Sequence, residues 1–389
     1  MKITDYQVFE IHAGWRSWIF IRISSGNTHG WSEISDSNTC NQASIAFLRS
    51  LAEFVLDTAV DHYIHTLHLL SSKFVQNLNF SALKPLSGIE NAFIDLFCKL
   101  NRLSAISYLQ GFPDNKVPIY WSHFGTTRSR AFKVCELPQL NSYDDILPIL
   151  EQCQNLGIST VKSNIIIFPP DSDSYVFMPG AFKGYQTAFR YPSREDYFLA
   201  IRSIDKWIDL ISSNSNLNVA IDLNFNIPSL YLPLLSTSSA WYEFDTIDCC
   251  KTREYCSHFP MNVCLVTGEN ALTFDSFKYI VDSPVQVISL DPCWLGSSKT
   301  CDFINIVEQH NKFITVHNFN GHLSSFISLA HCSLINNLHY LEFDLDDVPW
   351  KDSIFSNCPE IIDGYVYTDN SVYGWGCDLL LDKASPYIV

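Results

Sequence analysis

Residues 219–342 contain six short apolar segments, and each segment ends in an acidic residue or a histidine. They are VAID (219–222), SAWYE (239–243), MNVCLVTGE (261–269), VQVISLD (285–291), FITVH (313–317) and HYLE (339–342). Their last residues, separated by 21 to 26 positions, are Asp222, Glu243, Glu269, Asp291, His317 and Glu342. A β-strand and a crossover helix fit within such an interval. The spacing therefore predicts repeated βα units, which close into a parallel barrel.

The polar residues at these strand ends have two interpretations. A single acid after a strand is typical of a helix N-cap or a solvated loop. Six of them in register favour a catalytic mouth, because functional side chains in a barrel lie at the C-terminal ends of its strands. We therefore expect all six side chains to face one site.

The composition of the 389 residues limits the class of protein. Hydrophobic residues make up 47% and charged residues 17% of the chain, which is typical of a folded globular protein. The formal net charge of −16 argues against nucleic acid or an anionic membrane as a partner. An acidic substrate remains compatible with this charge only if a metal or a local Lys/Arg group attracts it.

The 13 cysteines are scattered and include no Cys-x-x-Cys pair. This pattern matches neither a disulfide framework nor a zinc ribbon, and it favours free thiols in a reducing compartment. The N-terminal MKITDYQVFEIHAGW reads as a strand and not as a signal peptide. No apolar run reaches the ~18 residues that a membrane span needs. We expect a cytoplasmic protein.

The pattern along the chain predicts three parts. Three strand patterns in residues 3–35 and helical spacing in residues 42–112 indicate an α+β domain over residues 1–115. Strands and helices then alternate through a barrel domain over residues 116–350. The tail, residues 351–389, returns to short strands and turns, and we expect it to pack on the first domain.

One histidine cluster in the first domain has two interpretations. His62, His65 and His68, with Asp61 beside them, lie near one face of a predicted helix. They could bind a metal, but no second group of ligands is near them in sequence. The alternative is an ordinary amphipathic helix surface.

Three loops are candidates for substrate recognition: residues 13–17, residues 123–130, and the insertion at 166–193. The insertion is rich in Pro, Gly, Ser and aromatic residues, and a long loop at a barrel mouth is typical of a lid. The candidate substrate-binding side chains in these loops are Trp15, Arg16, His123, Tyr185 and Arg190.

The strand-end residues suggest a particular chemistry. Asp222, Glu243 and Glu269 offer three carboxylates without Cys or His, a donor set that suits Mg²⁺. The Asp291 carboxylate can hold His317 and raise the basicity of its imidazole. Lys162 ends an earlier strand, two residues before Asn164. A metal, a lysine and a His–Asp base together suit removal of a proton next to a carboxylate, with stabilisation of the resulting enediolate.

In order and spacing, these motifs resemble the enolase superfamily, specifically its mandelate racemase-like branch. The motifs are GIENAFIDLFCKL (88–100), VKSN (161–164), IDLN (221–224), YEFD (242–245), TGE (267–269), SLD (289–291), VHNF (316–319) and YLE (340–342). The resemblance covers nearly the whole chain. It implies a modified TIM barrel of the (β/α)7β type, preceded by an α+β capping domain that the C-terminal tail completes.

The resemblance also implies residue roles. Asp222, Glu243 and Glu269 bind Mg²⁺, and His317 is the general base, oriented by Asp291. Lys162 and Glu342 assist at the substrate carboxylate or enediolate. It further implies an even-numbered homo-oligomer that acts on a small carboxylate.

Two departures from the family pattern bear on the reaction. Racemases of the family carry Lys-x-Lys and use the second lysine as a base on the opposite face of the substrate, where this chain has Asn164. The Lys-x-Asn pattern resembles sugar-acid dehydratases of the galactonate dehydratase type. Those enzymes have a histidine two residues after the first metal ligand, where this chain has Asn224. The acid that assists the leaving hydroxyl must then be His317, or a loop residue such as His123 or Tyr185.

The sequence thus predicts a Mg²⁺-dependent lyase, which most simply dehydrates a sugar acid to a 2-keto-3-deoxy acid. Two alternatives remain. One is an epimerase, a racemase or another lyase that uses the same enediolate. The other is a non-catalytic paralogue that binds a carboxylate.

Overall fold

The computed structural model describes residues 1–35, 41–74, 82–113, 116–170, 173–178, 192–246 and 248–389. The N-terminal domain starts with an antiparallel sheet of three strands in the order β1-β2-β3. Its strands are β1 (Asp5–His12), β2 (Ser17–Ser25) and β3 (Thr28–Glu33). Four helices follow, namely α1 (Asn41–Glu53), α2 (Tyr63–Phe74), α3 (Leu83–Asn101) and α4 (Ala105–Leu109). The predicted meander and helical region are both present.

Helix α3 is the core of this domain, since most of its residues are buried. It packs directly on β3 at Gly30, where an added Cβ would lie 2.2 Å from the carbonyl oxygen of Ala92. Asp95 of the same helix accepts hydrogen bonds from the backbone N–H groups of Trp31 and Trp375 and from Lys99. Since Trp375 belongs to the C-terminal tail, α3 joins the sheet and the tail.

Eight parallel strands form a closed barrel, because the last strand pairs with the first. The strands are β4 (Lys116–Trp121), β5 (Thr160–Asn164), β8 (Asn218–Asp222), β9 (Tyr242–Glu243), β10 (Leu265–Thr267), β11 (Val287–Leu290), β12 (Phe313–Val316) and β13 (Leu338–Phe343). A small hairpin, β6 (Ile166–Ile167) and β7 (Tyr175–Val176), leaves the barrel after β5. The expected fold class, a modified TIM barrel with an α+β capping domain, is confirmed.

The barrel helices lie between successive strands. They are α5 (Thr126–Arg130), α6 (Leu147–Asn155), α7 (Arg194–Asn214), α8 (Thr252–Cys256), α9 (Phe274–Val281), α10 (Pro292–Leu295), α11 (Ser297–Gln309) and α12 (His322–Cys332). One crossover differs from a regular βα unit. Between β8 and β9 the chain forms a 3₁₀ helix, Ser229–Leu234, which contains Pro233. A proline in a helix interior removes a backbone donor and favours such a short turn over an α-helix.

The tail contacts both domains. Strand β14 (Tyr365–Tyr367) pairs antiparallel with β4 of the barrel, and Val389 donates a backbone hydrogen bond to Glu10 of β1. Asp378 lies 2.5 Å from the Lys99 ammonium of α3. A short helix, α13 (Leu381–Ala384), precedes the C-terminus. The boundaries at residues 115 and 350 stay predictions.

A buried acid links the capping domain to the barrel. Glu33, at the end of β3, accepts hydrogen bonds from the backbone N–H groups of Gly321 and Ser324 at the start of α12. These N–H groups have no partner within the helix, so the carboxylate satisfies them and also complements the helix dipole. None of the helices in the described parts of the chain is long and apolar enough to span a membrane. All cysteines within the described ranges are free thiols.

Candidate active site at the barrel mouth

The strand register brings the predicted site residues to one level of the barrel. Asn164 of β5 lies opposite Asp222 of β8, and Asp222 lies opposite Glu243 of β9. Glu342 of β13 is paired with Tyr120 of β4, across the point where the barrel closes. Because the strands are parallel, all of these side chains lie towards the C-terminal end.

His317 follows β12 directly and is held by acids on both ring nitrogens. Its Nδ1 lies 2.8 Å from Asp291, while its Nε2 lies 3.2 Å from Glu269 and 3.9 Å from Glu342. Burial disfavours the imidazolium, but Glu269, Glu342 and Asp291 outweigh burial and raise the pKa of His317 to about 10. The carboxylates around both ring nitrogens therefore favour the protonated form of His317.

Asp291 is the N-cap of α10, and this role fixes its orientation. One carboxylate oxygen accepts hydrogen bonds from the backbone N–H groups of Cys293 (2.8 Å) and Trp294 (3.0 Å). The other oxygen meets Nδ1 of His317. The N-cap interpretation considered for single strand-end acids is therefore correct for Asp291, which also orients the imidazole.

Lys162 and Glu342 lie next to the pair formed by His317 and Asp291. The Lys162 ammonium lies 2.8 Å from Glu243 and 3.0 Å from Glu342. Burial opposes its charge, but these two carboxylates hold the pKa of Lys162 well above its usual range. Glu342 is buried too, yet Lys162 and His317 hold its pKa below the usual value. Glu342 thus bridges the lysine and the histidine as a carboxylate.

The predicted metal ligands form a crowded acidic group. Burial raises the pKa of Asp222 to about 6 and that of Glu243 to about 7, and repulsion from neighbouring acids adds to this effect. The pKa of Glu269 is raised well above its usual value for the same reasons. Burial likewise raises the pKa of Asp245 to about 6, and its charge repels those of Glu243 and Glu269. Such a surplus of buried oxygen donors fits a hard divalent cation.

The carboxylates of the three predicted metal ligands do not converge on one position. Within the described ranges, Asp222, Glu243 and Glu269 are not a group whose oxygens all lie within 4.8 Å of one another. The reason is that Glu243 contacts Lys162 and Glu269 contacts His317. The residues fit Mg²⁺ by their chemistry, and a bound ion would take the place of these contacts. Their role as ligands stays a prediction.

The two asparagines of the unusual motifs contact each other. Nδ2 of Asn164 donates to Oδ1 of Asn224 at 3.2 Å. Asn224 adopts a left-handed conformation with φ of 48°, and its backbone N–H donates to Asp222. Oδ1 of Asn164 is buried and has no hydrogen-bond partner among the described residues. A buried amide oxygen without a partner is a position where a substrate hydroxyl could donate.

The capping domain reaches the mouth through Trp15. The indole ring lies edge-on to His123, with centroids 5.6 Å apart, and stacks on Phe319 at 6.4 Å. Phe319 in turn lies 5.2 Å from the His317 ring. The 13–17 loop, a candidate for substrate recognition, therefore lies close to His317.

Arg16 and His123 are occupied by acids that follow β13. The Arg16 side chain is fully buried and forms ion pairs with Asp344 and Asp347. His123 lies 2.9 Å from Asp344, and burial lowers its pKa in spite of this carboxylate. Both residues thus connect loops of the mouth, and their predicted contact with substrate is not tested. Tyr185 and Arg190 lie outside the described residues.

Sequence reasoning missed several residues of the site. Ser122 donates a hydrogen bond to Glu342, and the backbone N–H of Asn318 donates to the other oxygen at 3.3 Å. The Trp294 ring packs on the His317 ring at 4.8 Å. Ser122 follows β4, and Asp245 lies two residues after Glu243, so both could have been found as polar residues after strands.

The histidine cluster of the first domain is a surface feature. His62, His65 and His68 are all exposed. Within the described ranges they do not belong to any group of three close metal-binding side chains. This arrangement favours the amphipathic helix surface over a metal site.

Comparison with known proteins supports the resemblance seen in the motifs. Residues 251–383 match the family model of the enolase C-terminal domain-like family. A crystal structure of a "putative L-alanine-DL-glutamate epimerase" from Burkholderia xenovorans strain LB400, bound to magnesium and fumarate, superimposes with a TM-score of 0.90 at 22% identity. The match covers 99% of this chain and 96% of that chain. No curated protein matches the chain by sequence.

Two further structures match with other assigned activities. A "putative dehydratase" from Mesorhizobium loti has a TM-score of 0.81 at 17% identity, over 100% of this chain and 99% of that chain. The 3,6-anhydro-D-galactonate cycloisomerase from Zobellia galactanivorans has a TM-score of 0.77 at 14% identity and covers 100% of both chains. At such identities the likeness shows the fold, and the assigned reactions differ among the three proteins.

Proposed function

We propose that this chain removes the proton α to the carboxylate of a sugar acid and then eliminates the β-hydroxyl. The fold, and the family model that matches residues 251–383, support its assignment to the enolase superfamily. The product enol would tautomerise to a 2-keto-3-deoxy acid. The observation that carries this proposal is the orientation of His317. Asp291 occupies Nδ1, and Nε2 faces the same space as Glu269 and Glu342. Nε2 is thus the atom that exchanges a proton with substrate.

The acid–base step depends on how His317 loses its resting proton. A base must be neutral, and the carboxylates around His317 hold its pKa at about 10. Of these carboxylates, Glu269 contributes most to the rise. Any interaction that occupies the Glu269 carboxylate weakens its hold on the proton and moves the pKa of His317 down towards the working pH.

The enediolate would be stabilised by charge already present in the site. Lys162 is buried and charged, and its ammonium lies 3.0 Å from Glu342. A fixed cation in a dry site stabilises developing negative charge without reorganisation. Glu342, held by Ser122, Asn318 and Lys162, keeps that cation in position.

Asp222, Glu243 and Glu269 would hold Mg²⁺, with Asp245 close to them. When bound, Mg²⁺ supplies a Lewis acid for the substrate carboxylate and balances the charge of these acids. The Burkholderia protein, which has the same fold, binds magnesium and fumarate, and this supports a carboxylate ligand here.

The leaving hydroxyl needs a proton, and His317 is the best donor within the described residues. His123 is bound to Asp344, and its lowered pKa makes it a poor acid at neutral pH. Asn224 carries no acidic proton. We infer that His317 passes the abstracted proton to the hydroxyl, which requires both groups to leave from the same face of the substrate.

Among the described residues of the mouth, no second base accompanies His317, and this favours dehydration over racemisation. The residue two positions after Lys162 is Asn164, whose amide cannot accept a proton at neutral pH. Lys162 itself is held by two carboxylates in its charged form. An epimerase remains the second candidate, because the Burkholderia protein is assigned as one.

The experiment is a screen of sugar acids with Mg²⁺ in D₂O, in which 2-keto acid formation and deuterium incorporation are both measured. We expect a 2-keto acid from one C2 epimer of a given substrate. Deuterium in both epimers without loss of water would support the epimerase. His317→Asn should abolish either reaction, whereas the exposed His65→Asn serves as a matched control. A chain with neither activity would be the non-catalytic paralogue.

Two predictions concern the cellular compartment and the oligomeric state of the protein. We expect the enzyme to work in the cytoplasm, where its cysteines stay reduced, and to assemble as an even-numbered homo-oligomer. Size measurement in solution tests the second expectation. Neither nucleic acid nor a membrane is expected as a partner.

A further inference from the structure

Three side chains of kinds that can bind metals meet outside the barrel mouth, where helix α12 contacts the C-terminal tail. They are His322 at the start of α12, and Asp352 and Cys358 in the tail. One donor atom from each lies within 4.8 Å of the other two. This is the single such group of His, Cys, Asp and Glu among the described residues.

The individual contacts show how close the three side chains are. Nε2 of His322 lies 2.6 Å from Oδ1 of Asp352. Sγ of Cys358 lies 3.6 Å from the backbone oxygen of Asp352. The Cys358 thiol is free, and the backbone N–H of Cys358 bonds to the side chain of Asn357. The three donors therefore come from two segments that are already fixed relative to each other.

A second observation concerns the histidine. The His322 residue is 5% exposed, and its Nδ1 has no hydrogen-bond partner among the described residues. The unpartnered Nδ1 leaves the ring without a second hydrogen bond, and Nε2, which already meets Asp352, is the nitrogen placed to bind a cation. The Asp352 side chain, by contrast, is 79% exposed, which leaves an entry path from solvent.

We propose that His322, Asp352 and Cys358 form a binding site for a borderline-soft divalent cation of the Zn²⁺ type. Imidazole, thiolate and carboxylate are all Zn²⁺ ligands, whereas a thiolate is a poor ligand for Mg²⁺. Ligand atoms in a tetrahedral zinc site lie about 3 to 4 Å apart, given bonds of about 2.0 to 2.3 Å. The exposed Asp352 and the half-buried Cys358 have room to adjust to this spacing.

The site would tie the tail to the barrel. The start of α12 is already held to the capping domain by Glu33, which accepts from Gly321 and Ser324. A cation at His322 would add a link from the same helix end to residues 352–358. The three protein ligands leave a fourth position for water. A link between segments of the folded chain stabilises that state, because the unfolded chain does not hold the ligands together.

The test uses the full-length protein with saturating Mg²⁺, so that the barrel-mouth carboxylates are occupied. Co²⁺ and Zn²⁺ are then added, and bound metal is measured by mass spectrometry and by the thiolate-to-cobalt charge-transfer absorption. We expect about one additional ion per chain, a thiolate band, and a Zn²⁺-dependent rise in melting temperature. Cys358→Ser should remove the band, and Asp352→Asn should weaken binding at least tenfold, in line with loss of a ligand.

A matched control separates this site from adventitious thiol binding. Cys250 is exposed, and its backbone N–H bonds to Asp248, so it offers a cysteine and an acid without a histidine. Cys250→Ser should leave the extra ion and the band unchanged. The proposal is overturned if the wild-type protein shows no thiolate band, or if Cys358→Ser retains it. Because Cys358 and Asp352 are not fully buried, both variants should fold; the buried His322 is left unchanged.

Discussion

Two buried histidines, His317 at the barrel mouth and His331 on helix α12, have pKa values that are shifted in opposite directions. The exposed fraction of His317 is 4% and that of His331 is 0%. The pKa of His317 is raised to about 10, whereas burial lowers that of His331 to about 4. At nearly equal burial, the surroundings therefore favour the charged form of the ring at the mouth and the neutral form on the helix.

The difference comes from the groups around each ring. His317 faces Asp291, Glu269 and Glu342. His331 donates from Nδ1 to the backbone oxygen of Ile327, its Nε2 has no partner among the described residues, and its ring packs near Trp375. Burial without a charged partner lowers the pKa of a histidine and favours the neutral imidazole, as is usual for a core residue. Acids gathered around a buried histidine oppose that tendency, and such an arrangement marks a candidate functional site.

The largest effect is expected when the divalent cation is removed from the mouth. Without a cation, burial raises the pKa values of Asp222, Glu243 and Glu269, and repulsion from neighbouring acids adds to this effect. Exhaustive chelation with EDTA should abolish turnover, and added Mg²⁺ should restore it. Full activity of the chelated protein would contradict the metal assignment and would leave the surplus of acids around His317 without a role.

The next largest effect is expected from His317→Asn. A general base contributes roughly 10²- to 10⁴-fold to the rate, so turnover should fall by at least this factor. Metal binding should persist, because the three carboxylates remain. The measurement is kcat with Mg²⁺ titration of both proteins. A change of less than tenfold would mean that the charged histidine is structural and that the contrast with His331 has no functional meaning.

A smaller loss of activity is expected from Asp291→Asn. The amide oxygen still accepts from Cys293 and Trp294, so α10 keeps its cap, but the contact with Nδ1 of His317 changes. Replacing a group that orients a functional side chain costs about 10- to 100-fold. The pKa of His317, followed by NMR, should fall at the same time. An unchanged pKa would show that Glu269 and Glu342 alone set the charge.

His331 should affect stability and not activity. Its pKa in the folded state is below the usual 6.5, so the stability that it contributes is present above pH 6.5 and is lost as pH falls towards 4. This difference in pKa corresponds to at most about 3 kcal/mol. Urea unfolding at pH 7 and at pH 4.5 measures it. His331→Leu should reduce the acid-induced loss and should change the free energy of unfolding at pH 7 by less than about 1.5 kcal/mol.

An equal acid-induced loss in His331→Leu and in the wild-type protein would assign that loss to other groups. The kcat of His331→Leu at pH 7 should stay at the wild-type value. A large fall in kcat would mean that α12 transmits its packing to the mouth.

The barrel and the strand-end residues could be predicted because both depend on local patterns. Apolar segments at regular intervals specify strands, and the residue after each strand specifies what lies at the mouth. Local patterns indicate Ser122 as a polar residue after β4, but they could not show that its hydroxyl and the backbone N–H of Asn318 both donate to Glu342. Their partners are more than twenty positions away in sequence, and nothing local records the contact.

The contacts of the charged loop residues could not be predicted from the sequence either. Arg16 reads as a free guanidinium in a recognition loop, but in the structure it is enclosed by Asp344 and Asp347. His123 shares Asp344 with it. Whether a charged side chain in these loops contacts an acid or a substrate depends on which loops lie next to each other. The position of the capping domain relative to the barrel decides this.

The sequence by itself determined the fold class, the order of the strands and which acidic, lysine and histidine side chains lie at the barrel mouth, because hydrophobic periodicity and strand-end position are local properties of the chain. Only the tertiary structure decided the charge of each group. His317 and His331 have the same side chain, but the surroundings of His317 raise its pKa and those of His331 lower it. Charge depends on burial and on the distance to other charges, and both arise from segments that fold together from distant parts of the sequence.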